Sequence, residues 1–176
     1  MTLETIAAAM ERVSSALTRK PQAGLHEDAP ATVFWTGGLR TLARSETGTE
    51  LATDMPAAIG GNDTAPTPGW ILRTALASCA VTRIAMEAAS RGITLTSLEA
   101  HAKSRSDLRG LIGLAAPDGK PVPAGPLAMD LHVRIRAAGV DADLLRELVS
   151  ATTGCSPVTC AVEQPLAVGL HIEVAD

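Results

Sequence analysis

The sequence predicts an α+β domain in which an antiparallel or mixed sheet packs on a long buried central helix. Three observations predict it. Residues 127–136 and 166–174 place apolar side chains at every second position, the period of a strand with one packed face. Residues 69–91 are apolar around most of a helical circumference, as in a helix covered on several sides. Short apolar runs within residues 31–54 are separated by Gly37-Gly38 and Glu46-Thr47-Gly48, the punctuation of tight hairpins.

The elements follow in order. Leu3, Ile6, Met10, Val13 and Leu17 recur at three- and four-residue steps and predict a helix over 3–18, ended by Lys20-Pro21. Residues 21–30 are a polar linker, so residues 1–29 read as an appendage to a main domain at 30–176. Strands are expected at 31–35, 39–45 and 49–52, followed by a loop over 55–68 that is rich in Pro and Gly. Thr67 is placed to cap the long helix, Pro68 to occupy its first position and Gly92 to end it. Residues 93–103 have strand character, residues 104–119 show no clear period, and Pro117 to Pro121 form a turn. The alternation of 127–136 follows, and Asp141 then caps a helix over 142–152 carried by Leu144, Leu145, Leu148 and Val149. Gly154-Cys155-Ser156-Pro157-Val158 breaks that helix, and 166–174 close the chain as a strand.

Composition excludes several classes of function. A chain of 176 residues with 46% hydrophobic and 19% charged residues can bury a core and is not a disordered polymer. A net charge of −4 and a pI near 5.5 give no general attraction to nucleic acid. The aromatic residues are Phe34, Trp35 and Trp70, too few for a row of base-stacking platforms. No apolar run is long enough to cross a membrane. Met1-Thr2-Leu3-Glu4 lacks a basic leader, so a cytoplasmic location is expected.

Chemistry rests on three cysteines, Cys79, Cys155 and Cys160. An odd count without an export signal argues against a disulfide framework. Cys79 lies in mid-helix, where a free thiol is most often a small hydrophobe. A reactive thiol needs a nearby cation. Arg83 stands four residues on, along the same helix face, whereas Arg73 is nearly two turns back. Arg40 and Arg44 on the early hairpin are further sources of charge. The Cys155 to Cys160 spacing is not the Cys-x-x-Cys of a thioredoxin-like site, and His26, His101, His132 and His171 are scattered singly. No metal and no cofactor are therefore expected. Neither Gly37-Gly38 nor Gly60-Gly61 has the strand–glycine–helix context of a phosphate loop.

Gly60-Gly61-Asn62-Asp63-Thr64-Ala65-Pro66-Thr67-Pro68, then Leu72, Ala75-Leu76-Ala77-Ser78-Cys79 and Arg91-Gly92-Ile93, resemble the core of the OsmC/Ohr family. Ser156-Pro157-Val158 before the last strand agrees, and the resemblance covers roughly residues 30–174. It implies an intertwined homodimer around two central helices, with an active site at the subunit interface. It implies a thiol peroxidase that reduces organic hydroperoxides, and hydrogen peroxide less well, through a sulfenic acid. Cys79 matches the peroxidatic thiol. A resolving thiol then forms a disulfide with it, and a dithiol such as a protein-bound lipoyl group reduces that disulfide. The second thiol of the family stands directly before Pro-Val; here Ser156 does, with Cys155 one residue earlier, so Cys155 or else Cys160 would resolve. Family peroxidases carry a Glu after the Pro that opens the central helix, and here Gly69 follows Pro68. Arg40, one residue displaced, matches the hairpin Arg that pairs with that Glu and holds the thiolate. Two further readings stand beside the peroxidase: a non-peroxidatic relative binding a small apolar ligand in the dimer cleft, and an interaction dimer that uses the N-terminal helix.

Overall fold

In a computed structural model, which describes residues 2–164 and 166–175, the chain opens with helix α1 (Leu3–Arg19). The Thr2 hydroxyl caps it by accepting from the Thr5 amide at 3.3 Å. Strands β1 (Thr32–Gly37), β2 (Arg40–Arg44) and β3 (Glu50–Thr53) form an antiparallel meander in the order β1-β2-β3. Helix α2 (Pro68–Ser90) follows. A second antiparallel sheet pairs β4 (Leu95–Arg105) with β5 (Ala128–Ala137), and the short helix α3 (Leu108–Leu111) lies in the connection between them. Helices α4 (Ala142–Thr153) and α5 (Pro157–Glu163) complete the described elements.

The core sits where α2 and α4 meet the inner face of the second sheet. Ile84 and Ala88 from α2, Leu145 and Leu148 from α4, and Ile93 are buried together. Leu98, Val133 and Ile135 pack on them, which is why the alternation of β5 is so regular. α2 ends as the sequence predicts. Gly92 has φ +68°, a conformation that costs glycine little, and the chain turns there into Ile93. α1 packs along α2.

Three expectations change. First, α2 is not covered all round within one chain. Leu76, Ala80, Ile84 and Ala88, spaced four apart, form its buried stripe, while Trp70 and Leu72 remain 48% and 37% exposed. Second, Pro157 starts a helix rather than only ending one. At the first helical position its missing N–H removes nothing and its fixed φ suits the turn, so α5 follows where a break was expected. Third, residues 166–174 join neither sheet, and Leu166, Val168, Leu170, Ile172 and Val174 are 68–90% exposed. Alternation states which side chains a strand would bury, but not which edge receives it.

The first sheet is also open. It makes no more than marginal contact with the other elements. Val33, Phe34, Trp35 and Leu51 are all exposed upon it.

Candidate functional site

The entrance to α2 is held by a carboxylate. Asp54, just after β3, is fully buried and accepts from the Thr64 hydroxyl at 2.6 Å and from the amides of Met55, Asn62 and Thr64 at 2.8, 3.3 and 3.2 Å. The Thr64 hydroxyl bond foremost, with the three amides, holds its carboxyl at about 2, against the opposing effect of burial. The loop folds back closely enough that a Cβ at Gly61 would overlap the Met55 carbonyl. Thr67 then caps α2, its hydroxyl accepting from the Trp70 amide at 3.1 Å. Sequence reasoning left residues 55–68 as an irregular loop. The signal that could have found the clasp is an Asp followed by Asn, Asp and Thr ahead of an N-cap.

Gly69 lies in the first turn of α2. A Cβ there would have the Arg73 guanidinium, at 3.8 Å, as its nearest neighbour, so a longer side chain fits. Arg73 itself donates to the Ser104 hydroxyl at 3.1 Å and ties α2 to β4. A cavity of about 500 Å³ opens beside this turn, lined by Ile59, Gly69, Leu72, Arg73 and Leu108. A second cavity, of about 570 Å³, lies between α2, β5 and α5 and is lined by Leu72, Leu76, Met129, Leu131, Thr159 and Val162. A groove of about 950 Å³ runs between α2 and β4, with Trp70, Ser78 and Val81 on the helix side.

Cys79 sits in the middle of α2, half-buried and free, and lines none of these three spaces. Arg83, one turn on, is likewise half-buried. Arg40 is the exposed first residue of β2, on the sheet that makes at most marginal contact with α2, the helix that carries Cys79. Cys155 is exposed in the turn after α4, and Cys160 lies in α5 with its thiol 3.5 Å from the Gly154 carbonyl. The cysteines are not close to one another, so the expected pairing of Cys79 with Cys155 or Cys160 is not formed in this conformation. Among the described residues no cluster of three or more His, Cys, Asp or Glu side chains is arranged to hold a metal.

Ser156 is fully buried at the N-cap of α5, yet its hydroxyl makes no capping bond and has no partner among the described residues; the Thr159 hydroxyl is orphaned in the same way. A buried hydroxyl without a partner costs about 1–3 kcal/mol. Ser156→Ala is therefore expected to stabilise the protein by about 1 kcal/mol, opposite in sign to the usual loss of an N-cap. Urea unfolding of the two proteins checks this, and a lower midpoint for the variant would show that the hydroxyl has a partner.

A family profile described as OsmC-like protein matches residues 60–171. No curated protein matches the chain. Solved structures do. An OsmC-like protein from Mycoplasma pneumoniae is 16% identical, with 79% of this chain and 89% of that one covered at a TM-score of 0.63. An organic hydroperoxide resistance protein from Elizabethkingia anophelis is 21% identical, with 78% and 89% covered at 0.59. An OsmC-like protein of unknown function from Vibrio cholerae is 13% identical, with 78% and 95% covered at 0.63. At these identities the likeness is one of fold.

Proposed function

This chain belongs to the OsmC-like protein family, and from that membership we propose that it reduces organic hydroperoxides at the Cys79 thiol, working as a homodimer. The observation that carries the reading is Cys79 itself. It is a half-buried free thiol at the centre of the long helix, inside the matched span and one turn from a guanidinium. The Cys79 sulfur attacks one oxygen of the peroxide. An S–O bond forms, the O–O bond breaks, and the alcohol leaves with a proton, so that the thiol becomes a sulfenic acid and the peroxide is reduced. Two thiols of an external dithiol, such as a lipoyl group, then return the sulfenic acid to thiol, giving water and a disulfide. The external dithiol acts directly because Ser156 stands before Pro157 and Cys155 is not beside Cys79.

Open surfaces support the homodimer. The exposed Phe34 and Trp35, the uncovered side of α2 and the five apolar residues of 166–174 are more apolar surface than a solitary chain usually carries. Arg40, whose sheet leaves its own helices nearly untouched, meets Cys79 only from a second copy on this reading. On this reading residues 1–29 are an appendage, its helix α1 laid along α2, to the domain at 30–176, and the acidic chain acts on small molecules rather than on nucleic acid. No helix among the described residues is long and apolar enough to cross a membrane.

The test is intact mass and non-reducing peptide mapping after stoichiometric cumene hydroperoxide, with hydrogen peroxide in parallel. The expected result is one added oxygen on Cys79, faster with the organic peroxide and faster again in Gly69→Glu, which restores the carboxylate of family peroxidases. A Cys79–Cys155 or Cys79–Cys160 peptide would show instead that the α4–α5 turn moves and resolves the cycle internally. An inert Cys79 would favour the second reading, binding of a small apolar ligand. The largely apolar cavity between α2, β5 and α5 favours it, with the buried Thr159 in its lining.

A further inference from the structure

Four histidines look scattered along the chain, but the register of the second sheet brings two of them together. His101 on β4 is the direct partner of His132 on β5. Both lie on the outer face of the sheet, exposed, opposite the side that packs on α2 and α4. Directly opposed residues in an antiparallel pair have Cβ atoms about 4.5–5.5 Å apart. A small surface cavity of about 200 Å³ is lined by these two imidazoles with Glu99, Val133 and Arg134. Among the described residues neither imidazole is engaged in a hydrogen bond or ion pair, unlike His26, which meets the Gly24 carbonyl and Asp28.

We propose that His101 and His132 form a two-imidazole clamp for a divalent first-row transition metal, zinc in the first instance. Metal–nitrogen bonds of about 2.0–2.1 Å require the two ligating nitrogens to stand roughly 3 Å apart, within reach of two imidazoles on adjacent strands. The sheet register fixes both backbones before the metal arrives, so little ordering is left to oppose binding. The charges nearest the pair balance: Glu99 faces Arg134 at 3.5 Å and Lys103 stands opposite Asp130, while Arg105 and Arg136 lie farther along the same face. With no third protein ligand among the described residues, water fills the other positions. The clamp is thus open, unlike the closed four-ligand structural site. The ligand class follows from the donors: imidazole suits zinc, nickel and copper, whereas calcium and magnesium take oxygen.

Calorimetric titration of the full chain with zinc chloride tests this, after alkylation of its three thiols so that they do not compete. One zinc per chain is expected. His101→Gln and His132→Gln are each expected to weaken it at least about tenfold, because either change removes chelation, while His26→Gln and His171→Gln leave it unchanged. Both sheet variants replace exposed side chains, and circular dichroism checks that they fold. Absence of zinc binding in the alkylated protein would overturn the proposal. So would binding that survives in both sheet variants, or binding that is lost in His171→Gln.

Discussion

Cys79→Ser protein is expected to consume organic hydroperoxide no faster than the uncatalysed background, a loss of at least about 10³-fold. A serine hydroxyl at neutral pH is essentially un-ionised, whereas a thiol is in part thiolate and intrinsically more nucleophilic. The exchange of sulfur for oxygen is nearly isosteric, and Cys79 is only half-buried in mid-helix. Secondary structure and melting should therefore change little while turnover disappears. Cys155→Ser and Cys160→Ser separate the two cycles. With an external dithiol acting directly on the sulfenic acid, both retain turnover. Unchanged peroxide consumption in Cys79→Ser, measured with a lipoyl-type dithiol as reductant, would sink the mechanism.

The second large effect is on stability. Asp54→Ala removes the buried acceptor shared by the Thr64 hydroxyl and three backbone amides of the loop ahead of α2. Four hydrogen bonds to one charged acceptor are lost at once, so the melting temperature is expected to fall by roughly 10 °C. Asp54→Asn should fall between, since an amide keeps one acceptor oxygen but turns donors toward donors. The effect has a defined pH window. The folded carboxyl lies at about 2, below its ordinary 3.8. The stabilisation is therefore complete above about pH 4 and is lost as pH falls toward 2. Melting curves at neutral pH and near pH 3 should show wild type and Asp54→Ala converging in acid. Equal melting at neutral pH would mean that the clasp contributes nothing.

Local pattern carried much of this structure and long-range pairing carried the rest. α1, α2 and α4 were legible because a 3.6-residue period and a polar cap at Thr67 or Asp141 sit within a few residues of each other. β5 was legible because its inner face packs on Ile84 and Leu148. α5 was missed because a proline reads equally as an end and a beginning. Residues 166–174 carry the alternation of a strand, yet no edge among the described residues pairs with them. Of the site, Cys79 could be singled out from the motif around it. The Asp54 clasp, the orphaned Ser156 hydroxyl and the His101–His132 pair could not, because each depends on which distant backbone lies alongside.

On the homodimer reading, the open three-stranded sheet ties the protein's durability to its concentration. β1 and β3 each present an unpaired backbone edge, beside the exposed Val33, Phe34 and Trp35. In the homodimer proposed above a second copy shields these surfaces, and each tenfold dilution weakens that protection by about 1.4 kcal/mol per dimer. A chain left alone by dilution then offers sticky edges to any neighbour. On that reading, storage at low concentration exposes the fold to an association that high concentration prevents.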